Sequence, residues 1–119
     1  MVWSFDKGRP LTPQICEQVC LQIALGQLRP NERLYSVREA ALEAGVNPNT
    51  VQHAFEMLEG RHILYSVRGS GWYVAEDISV ATDTLKAIWK EKTEAYFTTM
   101  QALGMTPQAI KDYVEEWMI

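Results

Sequence analysis

The sequence predicts a mainly helical protein that carries one small β-hairpin, an α+β fold in which a compact first part is followed by two further helices. Three observations predict this class. Apolar residues recur at helical spacing in several segments. Two short apolar strands, at residues 63–67 and 72–74, flank a glycine-containing turn. The chain has 119 residues, 47% hydrophobic and 22% charged, which is enough for one modest core and too little for two ordinary domains.

Composition also bears on location and on metal binding. No apolar run approaches the roughly 18 residues that a membrane span needs, and no basic segment followed by an apolar one opens the chain. The two cysteines, Cys16 and Cys20, lie in one helical pattern and do not suggest a disulfide framework. They could join His53 or His62 around a metal, but no paired ligand motif accompanies them, so burial is favoured. We therefore expect a cytoplasmic protein without a metal or cofactor.

Charge is distributed unevenly along the chain, whose net charge is −4. Residues 1–75 hold seven basic and seven acidic side chains, whereas residues 76–119 hold four lysines and eight acidic side chains. Every arginine lies in the first part, and arginine is well suited to forked contacts with phosphate and guanine. This pattern fits a recognition domain with arginines on one face. Surface arginines without a partner fit it equally well.

The first helix is expected after a short extended segment in which Trp3 and Phe5 alternate with polar residues. Thr12 has the character of an N-cap, and Pro13 would then occupy the first helical position. An apolar stripe at helical spacing follows and ends at Gly26.

A second and a third helix are separated by a short turn. Ser36 and Glu39 have the spacing of a capping box, which opens the second helix. Gly45 supplies the turn. Asn47 is expected to cap the third helix, because Pro48 disfavours helical geometry at the residue before it.

The third helix is expected to present a polar face. Its core stripe consists of Val51, Ala54, Phe55 and Leu58. Asn49, His53 and Glu56 then point away from the core, with Thr50 and Gln52 on the flanks. These side chains offer the donors and acceptors that contact base edges, although a merely capped and solvated helix would look the same.

A β-hairpin is expected next, with strands Ile63–Val67 and Trp72–Val74 joined by a turn at Arg68–Gly71. A hairpin that follows two helices joined by a short turn is typical of the wing in a winged helix-turn-helix domain.

Three parts of the chain, the first helix from Thr12 and the segments "LYSVREAALEAGVNPNTVQHAFEMLE" and "YSVRGSGWYV", resemble the DNA-binding domain of the GntR family of bacterial transcriptional regulators. The resemblance covers residues 10–75. The tail "YFTTMQALGMTPQAIKDYVEEW" is similar to that of the YtrA-like subfamily. The resemblance implies a homodimeric repressor. The residues it implies at the DNA are Ser36, Arg38, Asn47, Asn49, Thr50, Gln52, His53, Arg68, Gly69, Ser70 and Gly71.

Four positions depart from the family pattern. Tyr35 stands where proline is usual, which should alter entry into the second helix. His53 replaces a common basic residue, and Ser70 lies between the wing glycines where Lys or Arg is frequent, so charged contacts are expected to be fewer. His62 occupies a usual glycine position at a helix end, which histidine can tolerate in left-handed geometry.

The last part of the chain is predicted to form two helices, the first ended by Gly104 and the second opened by Thr106 and Pro107. Because two helices cannot enclose a core, their apolar faces are expected to be buried against a second copy. An aromatic pocket for a small-molecule effector is the alternative. The residues assigned to the dimer interface are Leu85, Ile88, Trp89, Tyr96, Met100, Leu103, Ile110, Val114 and Trp117.

The sequence therefore predicts a winged helix-turn-helix DNA-binding domain at residues 1–77, with every core residue of that domain before residue 78, and a two-helix dimerisation region at residues 78–119. The expected function is a sequence-specific transcriptional regulator, a repressor that binds an inverted-repeat operator as a homodimer. A winged-helix module for protein–protein assembly is the alternative. An enzyme is disfavoured, because no nucleophile motif, phosphate loop or metal spacing occurs. The operator, the regulated genes and any effector are not encoded in a recognisable form.

Overall fold

The computed structural model describes residues 3–119, so the first two residues of the predicted DNA-binding domain lie outside the described part. The helices are α1 (Leu11–Ala24), α2 (Val37–Ala44), α3 (Pro48–Gly60), α4 (Ser79–Ala102) and α5 (Pro107–Trp117). The strands are β1 (Leu64–Val67) and β2 (Gly71–Val74), which form a two-stranded antiparallel sheet. The predicted fold class is confirmed. Within residues 3–119, no helix combines the length and apolar character that crossing a bilayer requires.

The segment before α1 is held by side chains rather than by a sheet. Ser4 exchanges two hydrogen bonds with the side-chain amide of Gln18, at 3.1 and 2.7 Å. The rings of Trp3 and Phe5 stack with centroids 6.0 Å apart and pack against the core, while Ser4 is exposed. The two aromatic residues of this segment therefore belong to the core, and the polar residue between them does not.

The predicted start of the first helix is wrong. The helix begins at Leu11, and Thr12 and Pro13 both lie inside its first turn. No side-chain cap is present there; instead Gln14, buried in α1, donates to three backbone carbonyls of the preceding segment, that of Asp6 at 2.9 Å. Pro13 is tolerated because first-turn N–H groups have no helical partner in any case.

The helix-turn-helix unit forms as predicted. The Ser36 hydroxyl accepts a hydrogen bond of 3.0 Å from the Glu39 N–H at the start of α2. Gly45 ends that helix in left-handed geometry, with φ +70°. Asn47 caps α3, because its Oδ1 accepts from the Asn49 N–H at 2.8 Å.

The end of α3 turns the chain directly into the hairpin. His62 adopts the left-handed conformation, with φ +62°. Its N–H donates to the Glu59 carbonyl at 3.0 Å, and the N–H of Ile63 donates to the Leu58 carbonyl at 2.9 Å. This is the Schellman arrangement that usually contains glycine. The tolerance predicted for histidine at this position is confirmed.

The hairpin strands pair from Leu64 opposite Val74 to Val67 opposite Gly71. Both strands end where predicted, but the first begins one residue later than predicted and the second one residue earlier. The segment that contains Leu34 lies along the outer side of β2, an arrangement that was not predicted from the sequence. There the N–H of Leu34 donates to the Trp72 carbonyl at 2.8 Å.

The chain divides into two compact units, one ending at Leu85 and the other comprising Lys86–Ile119. The first unit has one core built from α1, α2, α3 and the hairpin, and this core includes Ala81 of α4. The expectation that all of its core residues precede residue 78 is therefore wrong. Arg61 reinforces this extension, because its Nη2 donates to the Thr84 hydroxyl at 2.8 Å.

In the second unit, α4 ends before Gly104, whose φ is +99°. Thr106 then caps α5 by accepting a hydrogen bond of 3.2 Å from the Ala109 N–H. Both predicted boundaries are confirmed.

Candidate nucleic-acid interface

One side of α3 carries exposed polar side chains, and the other side is buried. Val51, Ala54, Phe55 and Leu58 are all at most 1% exposed. Asn49, His53 and Glu56 are exposed, while Thr50 and Gln52 are half-buried on the flanks. The predicted orientation of this helix is therefore confirmed, and its exposed side can offer donors and acceptors to another molecule.

Two of the predicted DNA-contacting residues are occupied as helix caps. The Ser36 hydroxyl accepts from the backbone of α2, and the Asn47 side-chain oxygen accepts from the backbone of α3. These contacts fix where each helix begins. They leave the Asn47 amide nitrogen available to an acidic ligand. The N–H groups of Asn49, Thr50 and Val51 already donate to Asn47, so in the first turns only α2, at Val37 and Arg38, keeps free N–H groups of the kind that favours anions.

The arginines of the first unit differ in whether they have a partner within the protein. Arg9 pairs with Glu17 at 2.8 Å, Arg61 bonds to Thr84, and Arg33 bonds to the backbone of Ser70 at 3.0 Å. In contrast, the side chains of Arg29, Arg38 and Arg68 are exposed and have no hydrogen bond or ion pair within residues 3–119. Arg38 and Arg68 are two of the predicted contacts, and their guanidinium groups are free to take a phosphate or a guanine.

The wing tip between the two strands is a tight turn. The N–H of Ser70 donates to the Val67 carbonyl at 2.9 Å, which closes the turn over Arg68 and Gly69. Gly69 and Gly71 adopt φ values of +79° and +130°, which side chains rarely allow. Glycine is therefore required at both positions by the backbone.

An open cleft of about 750 Å³ lies between α3 and the hairpin. Gln52, Glu56 and Glu59 line it from the helix, and residues 66–72 line it from the wing. It thus brings Gln52 together with the predicted wing residues Arg68–Gly71. The other predicted contacts, Ser36, Arg38, Asn47, Asn49, Thr50 and His53, do not line this cleft.

The cleft contains two carboxylates, those of Glu56 and Glu59, that were not predicted as site residues. Glu59 Oε2 accepts from the Ser66 hydroxyl at 2.6 Å and from the Ser66 N–H at 2.9 Å. The hydroxyl and then the N–H of Ser66 hold the pKa of Glu59 below its ordinary value, because both hydrogen bonds favour the charged carboxylate. Glu59 lies seven residues, about two helical turns, beyond Gln52 on the same side of α3, a spacing that could have indicated it.

The cysteines lie in the core, as expected. Burial raises the pKa of Cys16 and of Cys20 to about 11, so both thiols are neutral near pH 7. Cys16 Sγ lies 3.5 Å from the Ala54 carbonyl oxygen, to which it donates. Among the described residues, no group of three or more His, Cys, Asp or Glu side chains is placed to hold a metal ion.

The residues assigned to a dimer interface fall into three sets. Leu85 is 9% exposed and Ile110 is fully buried, so neither side chain is available to a second copy. Five of the others are exposed and apolar: Trp89, Tyr96, Leu103, Val114 and Trp117. Ile88 and Met100 are half-buried. Within the second unit, Tyr96, Met100, Tyr113, Val114 and Trp117 line an open apolar depression of about 530 Å³.

Comparison with known proteins gives one family. The model for bacterial regulatory proteins, gntR family, matches residues 11–74. The HTH-type transcriptional regulator YhcF of Bacillus subtilis is 29% identical over 111 residues, which cover 93% of this chain and 92% of YhcF. The HTH-type transcriptional repressor YtrA of the same organism is 28% identical over 108 residues, which cover 90% of this chain and 83% of YtrA.

Solved structures agree with these relatives. A GntR family transcriptional regulator from Listeria monocytogenes has a TM-score of 0.81 and 35% identity, covering 94% of this chain and 98% of that one. AraR(DBD) in complex with operator ORX1 has a TM-score of 0.55 and 28% identity, covering 60% of this chain and 87% of that one. The second of these was solved with its operator.

Proposed function

The chain belongs to the gntR family of bacterial regulatory proteins, and on that premise we propose that it is a sequence-specific DNA-binding repressor that acts as a homodimer on an inverted-repeat operator. DNA binding and transcriptional regulation are supported by the family, by the repressor YtrA among its relatives and by the operator complex among its structural neighbours.

The observation that carries the proposal is the arrangement around α3. Its exposed side offers amide and imidazole groups and no cation of its own, while Arg38 and Arg68, in α2 and in the wing tip, have no partner in the described chain. Base edges are contacted by amides and by forked guanidinium groups, whereas phosphates are contacted by cations and helix-end N–H groups. The arrangement supplies both kinds of contact.

Individual roles follow from these positions. Asn49, Gln52 and His53 on α3 contact base edges in a major groove. Arg38, beside the N-terminus of α2, contacts a guanine or a phosphate. Arg68, in the wing, contacts the DNA backbone or an adjacent groove of the DNA. Ser36 and Asn47 act by fixing the two helix starts, since their side-chain oxygens already accept hydrogen bonds within the protein.

The second unit is proposed to hold two copies together. Trp89 is 58% exposed, Leu103 is 73% exposed and Trp117 is 78% exposed. Apolar side chains of this size cost free energy when they face water, and a second copy of the same surface would cover them. Two α3 helices held about one DNA turn apart, roughly 34–36 Å, would enter successive major grooves.

The test is selection of duplexes by the full chain from random-sequence DNA, followed by mobility-shift titration of the recovered duplex at several salt concentrations. We expect an inverted repeat to be recovered and its affinity to fall with salt, because phosphate contacts release counterions. A chain that enriches no sequence and retards no duplex even at low salt would contradict the proposal and favour protein–protein assembly instead.

A further inference from the structure

The chain segment before α2, at residues 31–34, lies alongside β2 and is hydrogen-bonded to it. The N–H of Asn31 donates to the Val74 carbonyl at 2.8 Å, and the N–H of Val74 donates to the Glu32 carbonyl at 2.9 Å. Arg33 therefore lies directly opposite Tyr73 of β2, as an isolated antiparallel bridge. The backbone of Arg33 is thus fixed with respect to the hairpin independently of its side chain.

The Arg33 side chain then extends along the hairpin to its tip. Nε donates to the Ser70 carbonyl at 3.0 Å. The guanidinium group lies against the backbone at Gly71, where a Cβ would be 3.4 Å from Nε and 3.5 Å from Nη2. A Cβ there would only touch the guanidinium group, so it is the φ of +130° that requires glycine at this residue.

Ser70 is consequently held through three of its groups. Its N–H donates to Val67, its carbonyl accepts from Arg33, and its hydroxyl shares a short hydrogen bond with the Tyr73 hydroxyl. Tyr73 stacks on Tyr65 with ring centroids 5.5 Å apart. Two-stranded hairpins are only marginally stable on their own, so these contacts supply order that the strands alone would not.

We propose that Arg33 is a positioning residue for DNA recognition: by bonding the Ser70 carbonyl it fixes the wing tip at Arg68–Ser70 and so aims Arg68 at the DNA. This rests on the proposed function. The wing then gains affinity from a preformed tip, since ordering a loop during binding costs free energy. Ser70 contributes the anchored carbonyl and hydroxyl in place of the positive charge that a Lys or Arg would bring.

The matched variants are Arg33→Gln and Arg33→Met. Glutamine places an N–H donor at the same point along the side chain as Arg Nε but carries no charge. Methionine has similar length and no donor. Arg29→Met is the control, because Arg29 is another exposed arginine of the same segment whose side chain has no partner within residues 3–119.

The first measurement is made on the free full chain. The amide nitrogen of Gly71 is bonded to the Ser70 carbonyl carbon, so its ¹⁵N and ¹H shifts report the hydrogen bond from Arg33. We expect Arg33→Met to displace the Gly71 amide signal and Arg33→Gln and Arg29→Met to leave it in place. A Gly71 signal that does not move in Arg33→Met would overturn the proposal.

The second measurement is affinity for the duplex recovered by the wild-type chain. We expect Arg33→Met to bind about tenfold more weakly, because its wing tip is no longer fixed beforehand and must be ordered during binding. Arg33→Gln, which keeps the donor, should bind as wild type with the same salt dependence. Wild-type affinity in Arg33→Met would overturn the positioning role. So would equal weakening in Arg33→Gln with an unmoved Gly71 signal, which would show a direct charge contact with phosphate. If the wild type recovers no duplex, the proposed function fails, while the spectra still decide the Arg33 contact.

Discussion

Gln52 Nε2 donates a hydrogen bond of 2.9 Å to Glu56 Oε1, one turn further along α3. An amide nitrogen carries two hydrogens, so Gln52 keeps one N–H and its carbonyl oxygen for another molecule. That remaining pair matches the adenine edge in the major groove, where N7 accepts and N6 donates. Glu56 therefore orients the amide that we propose contacts a base, while bringing a negative charge that a phosphate would avoid.

Glu56→Ala is expected to lower the discrimination between the recovered duplex and random DNA by about 1 kcal/mol, because the Gln52 amide becomes free to rotate. Mobility-shift titration on both duplexes measures the ratio. Glu56→Gln is the control, since its side-chain oxygen can still accept from Gln52, and it should keep the ratio while tightening binding to both. A ratio that survives Glu56→Ala would show that Glu56 does not orient Gln52.

Arg38→Ala should weaken binding to the recovered duplex by roughly 1–3 kcal/mol if the guanidinium contacts a guanine. Arg29→Ala, which removes another unpaired arginine, should have a smaller effect. Equal loss on specific and random DNA would mean that Arg38 contacts phosphate alone. Unchanged binding to both would remove Arg38 from the interface.

Substitutions at Asn49, Gln52 and His53 should change which base pairs are preferred while leaving the melting temperature nearly constant. These side chains are exposed or half-buried, and such positions contribute little to folding. Repeating the selection from random DNA with Asn49→Ala, Gln52→Ala and His53→Ala tests each one. A variant that recovers the wild-type site with wild-type affinity would exclude its residue from base contact.

The contact of Glu59 with Ser66 should weaken in acid. Because the pKa of Glu59 in the folded protein is lowered from its ordinary value of 4.5, the carboxylate adds stability above that value. This contribution is lost as the pH falls through the lower folded-state pKa. The Ser66 amide ¹H shift, followed by NMR, should titrate with a midpoint below 4.5. In Glu59→Gln the same signal should not titrate, and a midpoint at or above the ordinary value would contradict the contact.

Disrupting the apolar surface of the second unit should separate the copies. Trp89→Gln combined with Trp117→Gln is expected to shift sedimentation from dimer to monomer and to weaken binding to the full inverted repeat by about 10²–10⁴, because the linked second half-site is lost. Lys92→Gln, an exposed change on the same helix as Trp89, is the control. Binding to a single half-site should stay as in the wild type. A double variant that sediments unchanged would exclude these tryptophans from the interface.

Local patterns predicted most of the fold. The caps at Ser36, Asn47 and Thr106 each depend on residues within three positions, so the sequence contains the whole interaction. The start of α1 was missed because Gln14 reaches back to carbonyls that precede the helix, which no capping pattern describes. Leu85 was assigned to an interface because helical periodicity shows that a face is apolar but not what covers it.

The part of the candidate site that depends on local sequence was also predictable, and the part that depends on long-range contacts was not. The orientation of α3 follows from one apolar stripe, and that stripe is in the sequence. The bond from Arg33 to Ser70 joins residues 37 positions apart, so no local pattern could indicate it. Likewise, the carboxylates of Glu56 and Glu59 enter the cleft only because the hairpin folds back beside α3.

The left-handed turn at His62 has a consequence for redesigning the protein. Helix α3 ends there through backbone hydrogen bonds. The connection from α3 to the hairpin therefore does not depend on the exposed side chains of α3. A library that varies only the outward positions, with the buried stripe and residues 59–63 kept, should yield folded proteins with new target sites. Helix α3 can thus be treated as an exchangeable cassette whose boundaries are set by Asn47 on one side and His62 on the other.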